Sequence, residues 1–105
     1  MAITNTQLTS GEVTITQAGV GETKAVLSIM LCNTDVASHT ATLYAYPSGS
    51  IAGDSTTIMK SLTIPSYDTY IWSANEKLIL AAGDKVSGTA DTSGVITATA
   101  NYMVI

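Results

Sequence analysis

The chain has 105 residues, a formal net charge of -4 and only 11% charged residues, against about 25% in an average soluble domain. Its four cations, Lys24, Lys60, Lys77 and Lys85, are dispersed along an acidic chain, which excludes nucleic-acid binding by phosphate neutralisation, since that needs clustered Lys and Arg. No run approaches the roughly 18 apolar residues that span a bilayer, so no membrane partner is expected.

The polar residues are mostly hydroxyls, with 17 Thr and 11 Ser, while Arg and Phe are absent. Threonine, being β-branched, favours strands. The length suits one domain able to bury a core without disulfides or metals. A single cysteine, Cys32, forbids an intramolecular disulfide, and there is no Asn-x-Ser/Thr sequon. Residues 1–21 lack the basic start and apolar stretch of a signal peptide, so the protein is expected to be made in a cytosol.

Period-two alternation recurs along the chain, with no sustained helical spacing. Residues 1–10 are polar, Thr-rich and aperiodic; they read as an arm lying on a neighbouring subunit, with terminal disorder as the alternative. A weaker strand at 12–17 precedes the strong strand 23–33. There Ala25, Leu27, Ile29 and Leu31 share one face, while Lys24, Val26, Ser28, Met30 and Cys32 share the other. A turn at 33–37 leads to strand 38–46, which together read as a hairpin. Loop chemistry follows at Pro47-Ser48-Gly49-Ser50 and Ala52-Gly53-Asp54-Ser55. Strand 56–64 ends at Pro65, which cannot donate to a ladder. Short strands at 67–72 and 76–80, a tight turn at 81–84, strand 85–90 and a turn at 91–94 come next. The last strand, 95–105, places Ile96, Ala98, Ala100, Tyr102 and Val104 inward and Thr97, Thr99 and Asn101 outward. The predicted fold is all-β: an antiparallel β-sandwich of about eight strands, jelly-roll or immunoglobulin-like, formed by residues 11–105.

Few residues suggest chemistry. Within the expected hairpin Cys32 and His39 would be cross-strand neighbours, with Asp35 nearby, which evokes a thiol nucleophile and base. Nothing Gly-rich or helical supplies an oxyanion hole, and a free cysteine is commonly a small buried hydrophobe. Gly19-Val20-Gly21-Glu22-Thr23-Lys24 lacks the order and following helix of a phosphate loop. Asp54, Asp68, Asp84 and Asp91 invite a calcium site, but no contiguous calcium loop exists, and turn-forming Asp residues explain these positions. Tyr67, Tyr70 and Trp72 form the only aromatic cluster, read as core or subunit contact ahead of a sugar platform. No catalytic, cofactor-binding or metal-ligating residue is assigned. The expected interface residues are Thr4, Thr6 and Leu8 of the arm, with Tyr70 and Trp72.

The run Asn33-Thr34-Asp35, then His39-Thr40-Ala41-Thr42-Leu43-Tyr44, Pro47-Ser48-Gly49, and Leu80-Ala81-Ala82-Gly83-Asp84 with Val86 through Asp91 resembles small structural proteins of tailed-bacteriophage virions. These are head-decoration, neck or tail-associated β-sandwich modules, and the resemblance extends from about residue 23 to the C-terminus. It implies a non-enzymatic, homo-oligomeric virion component, made in the bacterial host's cytoplasm, whose partners are the major capsid protein or neck and tail proteins. Capsid decoration or cementing is the leading expectation; a neck, tail or fibre role, or a carbohydrate-binding module, is the alternative. An uncharged, hydroxyl-rich surface suits such burial, because few ions need desolvating.

Overall fold

The computed structural model describes residues 2–105, the side chains of residues 74–76 excepted. Its eight strands are β1 (Ala2–Gln7), β2 (Val13–Gln17), β3 (Lys24–Asn33), β4 (His39–Tyr46), β5 (Thr57–Ile64), β6 (Thr69–Leu80), β7 (Lys85–Ala90) and β8 (Ile96–Val104). They form two four-stranded sheets of order β1-β8-β3-β6 and β2-β7-β4-β5, and every pair is antiparallel. First strand pairs with last, second with seventh, third with sixth and fourth with fifth. The chain is thus a long hairpin rolled into a sandwich, which is the jelly roll; immunoglobulin domains order their strands differently.

The two sheets bury a core of aliphatic side chains. Leu8, Ile29, Leu31, Leu43, Ile64, Val86 and Ile96 are all buried, with the small Ala41, Ala90, Ala98 and Ala100 between them. Burying a side chain the size of Val or Leu contributes roughly 1.5–3 kcal/mol relative to leaving it exposed. The alternation expected for the last strand holds from Ile96 to Tyr102, whereas Val104 is exposed at its end.

Four expectations are corrected. Residues 2–7 are an edge strand of this chain's own sheet, in register with β8 from Ala2↔Tyr102 to Gln7↔Thr97. Leu8 follows them into the core because its N–H donates to the Ile96 carbonyl at 2.9 Å. The predicted hairpin does not form, since β3 and β4 lie in different sheets; consecutive strands joined by a short turn can cross the sandwich as readily as pair. The two short strands expected at 67–72 and 76–80 are one strand, β6, and the Glu76 side chain lies outside the described residues. Finally, a register shift between Val26 and Ser28 changes the phase of β3. Beyond it Ile29 and Leu31 face the core as expected, but before it Val26 does, leaving Leu27 only half-buried. One extra residue in a ladder swaps the faces of everything on one side of it.

Gly88 on β7 is crowded by the strands on either side of it in its own sheet, β2 and β4. A Cβ there would lie 3.1 Å from both the Leu43 side chain and the Thr42 carbonyl, and 3.2 Å from Ile15. Gly88→Val is therefore expected to destabilise the fold by about 1–3 kcal/mol through overpacking. Denaturant unfolding measures this, and a loss under about 0.5 kcal/mol would show that the Leu43 and Ile15 side chains give way easily there.

Candidate functional site

The outer face of the β1-β8-β3-β6 sheet carries no charge in any paired row. Side chains of directly opposed residues share a face, so the register lays out four rows. They are Gln7–Thr97–Cys32–Thr69, Asn5–Thr99–Met30–Ile71, Ile3–Asn101–Ser28–Ser73 and Met103–Ala25–Ile79. Half of this surface is hydroxyl or amide and half apolar. Ile3 is 65% exposed, Ile71 57%, Ile79 51% and Met30 37%. With about 4.8 Å between strands and about 3.3 Å per residue, the rows cover roughly 500 Å². About half of that area is apolar, which is within what single soluble chains expose. Lys77, exposed on β6 between the last two rows, is the only cation alongside it among the described residues.

The charged groups concentrate at the sandwich ends, where they pair with each other. His39 at the start of β4 is clamped: its Nδ1 lies 2.8 Å from Asp91 Oδ1 and its Nε2 lies 2.8 Å from Asp35 Oδ2. The ring is only 11% exposed. The hydrogen bond to Asp35, then that to Asp91, raise the histidine pKa above its ordinary 6.5. His39 and then the Val36 N–H lower that of Asp35. Nearby, the buried Asn33 amide donates to the Ala37, Ile64 and Pro65 carbonyls and its oxygen accepts from the Asp35 N–H. On the other sheet, buried Ser87 and the Tyr46 hydroxyl both donate to Glu12 Oε2. Those two bonds, Ser87's first, lower the Glu12 pKa.

These placements settle the geometry of the candidate residues. Cys32 lies on the outer face of one sheet, while His39 belongs to the other and has both ring nitrogens engaged; the two do not form a dyad. Each candidate calcium ligand has its own partner. Asp54 pairs with Lys60, Asp68 accepts from the Thr69 N–H, Asp84 accepts from the Ala81 and Ser48 N–H groups, and Asp91 holds His39. Among the described residues no three such groups converge on a point. Residues 19–22 close a tight turn ahead of β3, with the Glu22 carboxylate accepting from the Gly19 N–H.

Of the expected interface residues, Leu8 is fully buried in the chain's own core and is excluded from any contact with a partner. Thr4 and Thr6 oppose Ala100 and Ala98 on the inner face of β1 and are half-buried. Trp72 packs against the core opposite Ile29, and Tyr70 opposite Leu31 is 39% exposed at the sandwich edge. Tyr70 and Tyr67 therefore do not present a platform with Trp72. A cleft of about 190 Å³ between Pro47, Leu78, Leu80 and Asp84 is smaller than the roughly 300 Å³ at which ligand pockets begin. The residues missed by sequence reasoning are Ile3, Met30, Ile71 and Ile79. Alternation alone would have placed each opposite a core residue, but only register joins them into one patch. No family model, curated protein or solved structure matches the chain.

The clamp gives a pH dependence with a defined sign. Its histidine contribution is complete below the unfolded pKa of about 6.5 and is lost as pH rises through the raised folded value; its Asp35 contribution holds above about 3.8 and is lost as pH falls through the lowered one. The thermal midpoint of the wild type should exceed that of His39→Gln most near pH 5, about midway between those values, and the gap should narrow as pH rises above neutrality through the raised histidine value. A gap independent of pH would show that the ring acts only by packing.

Proposed function

We propose that this chain is a non-enzymatic structural subunit of a tailed-bacteriophage virion, and within that class a capsid decoration or cement protein that stabilises the head through subunit contacts. The observation that carries the reading is the uncharged outer face of the β1-β8-β3-β6 sheet. Covering its paired rows with another protein desolvates no ion of those rows, and among the described residues only Lys77 alongside must stay solvated or find a partner; a poorly paired buried charge costs several kcal/mol. Its apolar half contributes on the order of 25 cal/mol per Å² buried. Its hydroxyls and amides can both donate and accept, so they pair with many surfaces. The jelly roll is an architecture common to viral capsid and lectin domains, which supports the class by analogy of fold. The partners on this reading are the major capsid protein and further copies of the chain, and the site of assembly is the host cytoplasm.

Two measurements test it. Native particles should carry the protein at a copy number in the hundreds, as a shell lattice requires; a dozen or fewer copies would move it to the neck, tail or fibre, and absence from particles would overturn the proposal. Met30→Glu, at the centre of the face, should lower occupancy on particles by about tenfold or more through one unpaired buried charge. Thr63→Glu, exposed on the opposite sheet, should leave occupancy unchanged. Equal occupancy for the two variants would show that the face is not the contact.

A further inference from the structure

Each sheet of a sandwich ends in two edge strands, and three of the four here are guarded. β2 carries a register shift between Thr14 and Thr16. β5 has Lys60, two register shifts against β4 and Ser61 with φ 47. β6 has Lys77 and its own register shift against β3. Charges and bulges are how proteins keep an edge from pairing with another chain. β1 has neither. Its sequence, Ala-Ile-Thr-Asn-Thr-Gln, contains no charge, proline or glycine, and it pairs with β8 in six consecutive positions without a break.

The hydrogen-bonding phase of this edge follows from its neighbour. Leu8 donates its N–H to Ile96, so the even residues of β1 bond to β8, and Ile3, Asn5 and Gln7 turn their N–H and C=O groups away from it. All three residues are exposed, and no backbone partner for them lies elsewhere among the described residues. The edge therefore offers three donors and three acceptors in alternation.

The geometry points to a second copy of this chain as the occupant, its β1 running antiparallel to the first across a two-fold axis perpendicular to the sheet. Such an axis requires opposed residues to lie on the same face, so only registers centred on a residue are allowed. Centring on Asn5 sets Ile3 against Gln7 of the second copy, Asn5 against Asn5 and Gln7 against Ile3. Every outward donor and acceptor is then used, in six hydrogen bonds; centring on Thr4 uses four. The strand is self-complementary because it is uncharged: a lysine or carboxylate near the axis would face its own like charge. The Asn5 side chain already accepts from Thr99 Oγ1 at 2.8 Å, which leaves its amide N–H groups to meet the other copy. Pairing also joins the two uncharged faces into one surface on a continuous eight-stranded sheet.

A strand edge alone buries less than the roughly 1,200 Å² of a stable dimer, so the pair is weak in dilute solution and is strengthened wherever a lattice holds copies close together. The inference goes beyond the virion role by naming both partner and register, and it is read on the isolated chain. Its failure would leave particle attachment untouched, and failure of attachment would leave the dimer intact.

Cysteine trapping tests the register. In a Cys32→Ser background, Asn5→Cys should form a disulfide-linked dimer on mild oxidation of the native chain, because opposed Cα atoms about 5.5 Å apart lie within disulfide reach. Thr4→Cys should cross-link at least about tenfold more slowly, because it opposes Thr6 of the second copy and its own counterpart lies beyond about 7 Å. Cross-linking that is equal at both positions, or absent at position 5, would overturn the proposal. Sedimentation equilibrium supplies the second arm. Asn5→Lys, and Asn5→Pro, which removes an N–H that β8 does not use, should each weaken self-association by about tenfold or more. An unchanged constant in both, with the thermal midpoint retained, would exclude β1 as the contact.

Discussion

The pairing of β3 with β8 is the contact on which the structure depends. β1 is held only by β8 and β6 only by β3, so without that ladder the sheet divides into two ribbons of two strands, each marginal in water. The ladder runs from Lys24↔Val104 to Asn33↔Ile96, bringing together the first and last thirds of the chain. It sets Ile29 and Leu31 beside Ala100 and Ala98 on the core side, and Met30 and Cys32 beside Thr99 and Thr97 on the outer side. The core and the uncharged rows of the outer face are thus the two surfaces of one ladder. Because loop-closure entropy must be met before these distant residues pair, such a topology folds slowly compared with local structure.

Where charge sits follows from the same arrangement. The sandwich ends hold turns, whose backbone donors need acceptors, and short Asp side chains supply them at Asp35, Asp68 and Asp84. The His39 clamp ties the β3–β4 turn to the β7–β8 turn, adding to the backbone bonds from Thr34 to Val95 and from Asp91 to Thr40. On the second sheet the exposed Glu12 carboxylate accepts from the buried Ser87 hydroxyl and from Tyr46. The paired rows on the outer face of the first sheet hold no charge, with Lys77 the one cation alongside them among the described residues.

Fold class was legible because alternation and turn residues are local properties. Seven of the eight strands can be placed from period two, and Pro65, Gly83 and Gly94 punctuate them as expected. β1 escaped because its alternation is of Ile3, Asn5 and Gln7 against Ala2, Thr4 and Thr6, with too little contrast in polarity to reveal two faces. The phase of β3 escaped because a bulge is specified by the partner strands, not by the residues that flank it. The Cys32–His39 pairing was misplaced for a related reason: a short turn between strands does not say whether they pair or cross the sandwich.

By itself the sequence determined that this is an all-β, nearly uncharged domain with an aliphatic core and turns capped by Asp and Gly, since hydropathy period, β-branching and turn chemistry act within a few residues. The tertiary structure alone decided the jelly-roll order, the face on which Ile3, Met30, Ile71 and Ile79 meet, and the strand left with open hydrogen bonds. Those features depend on which distant segments lie side by side, and that choice is made by burying the whole core at once.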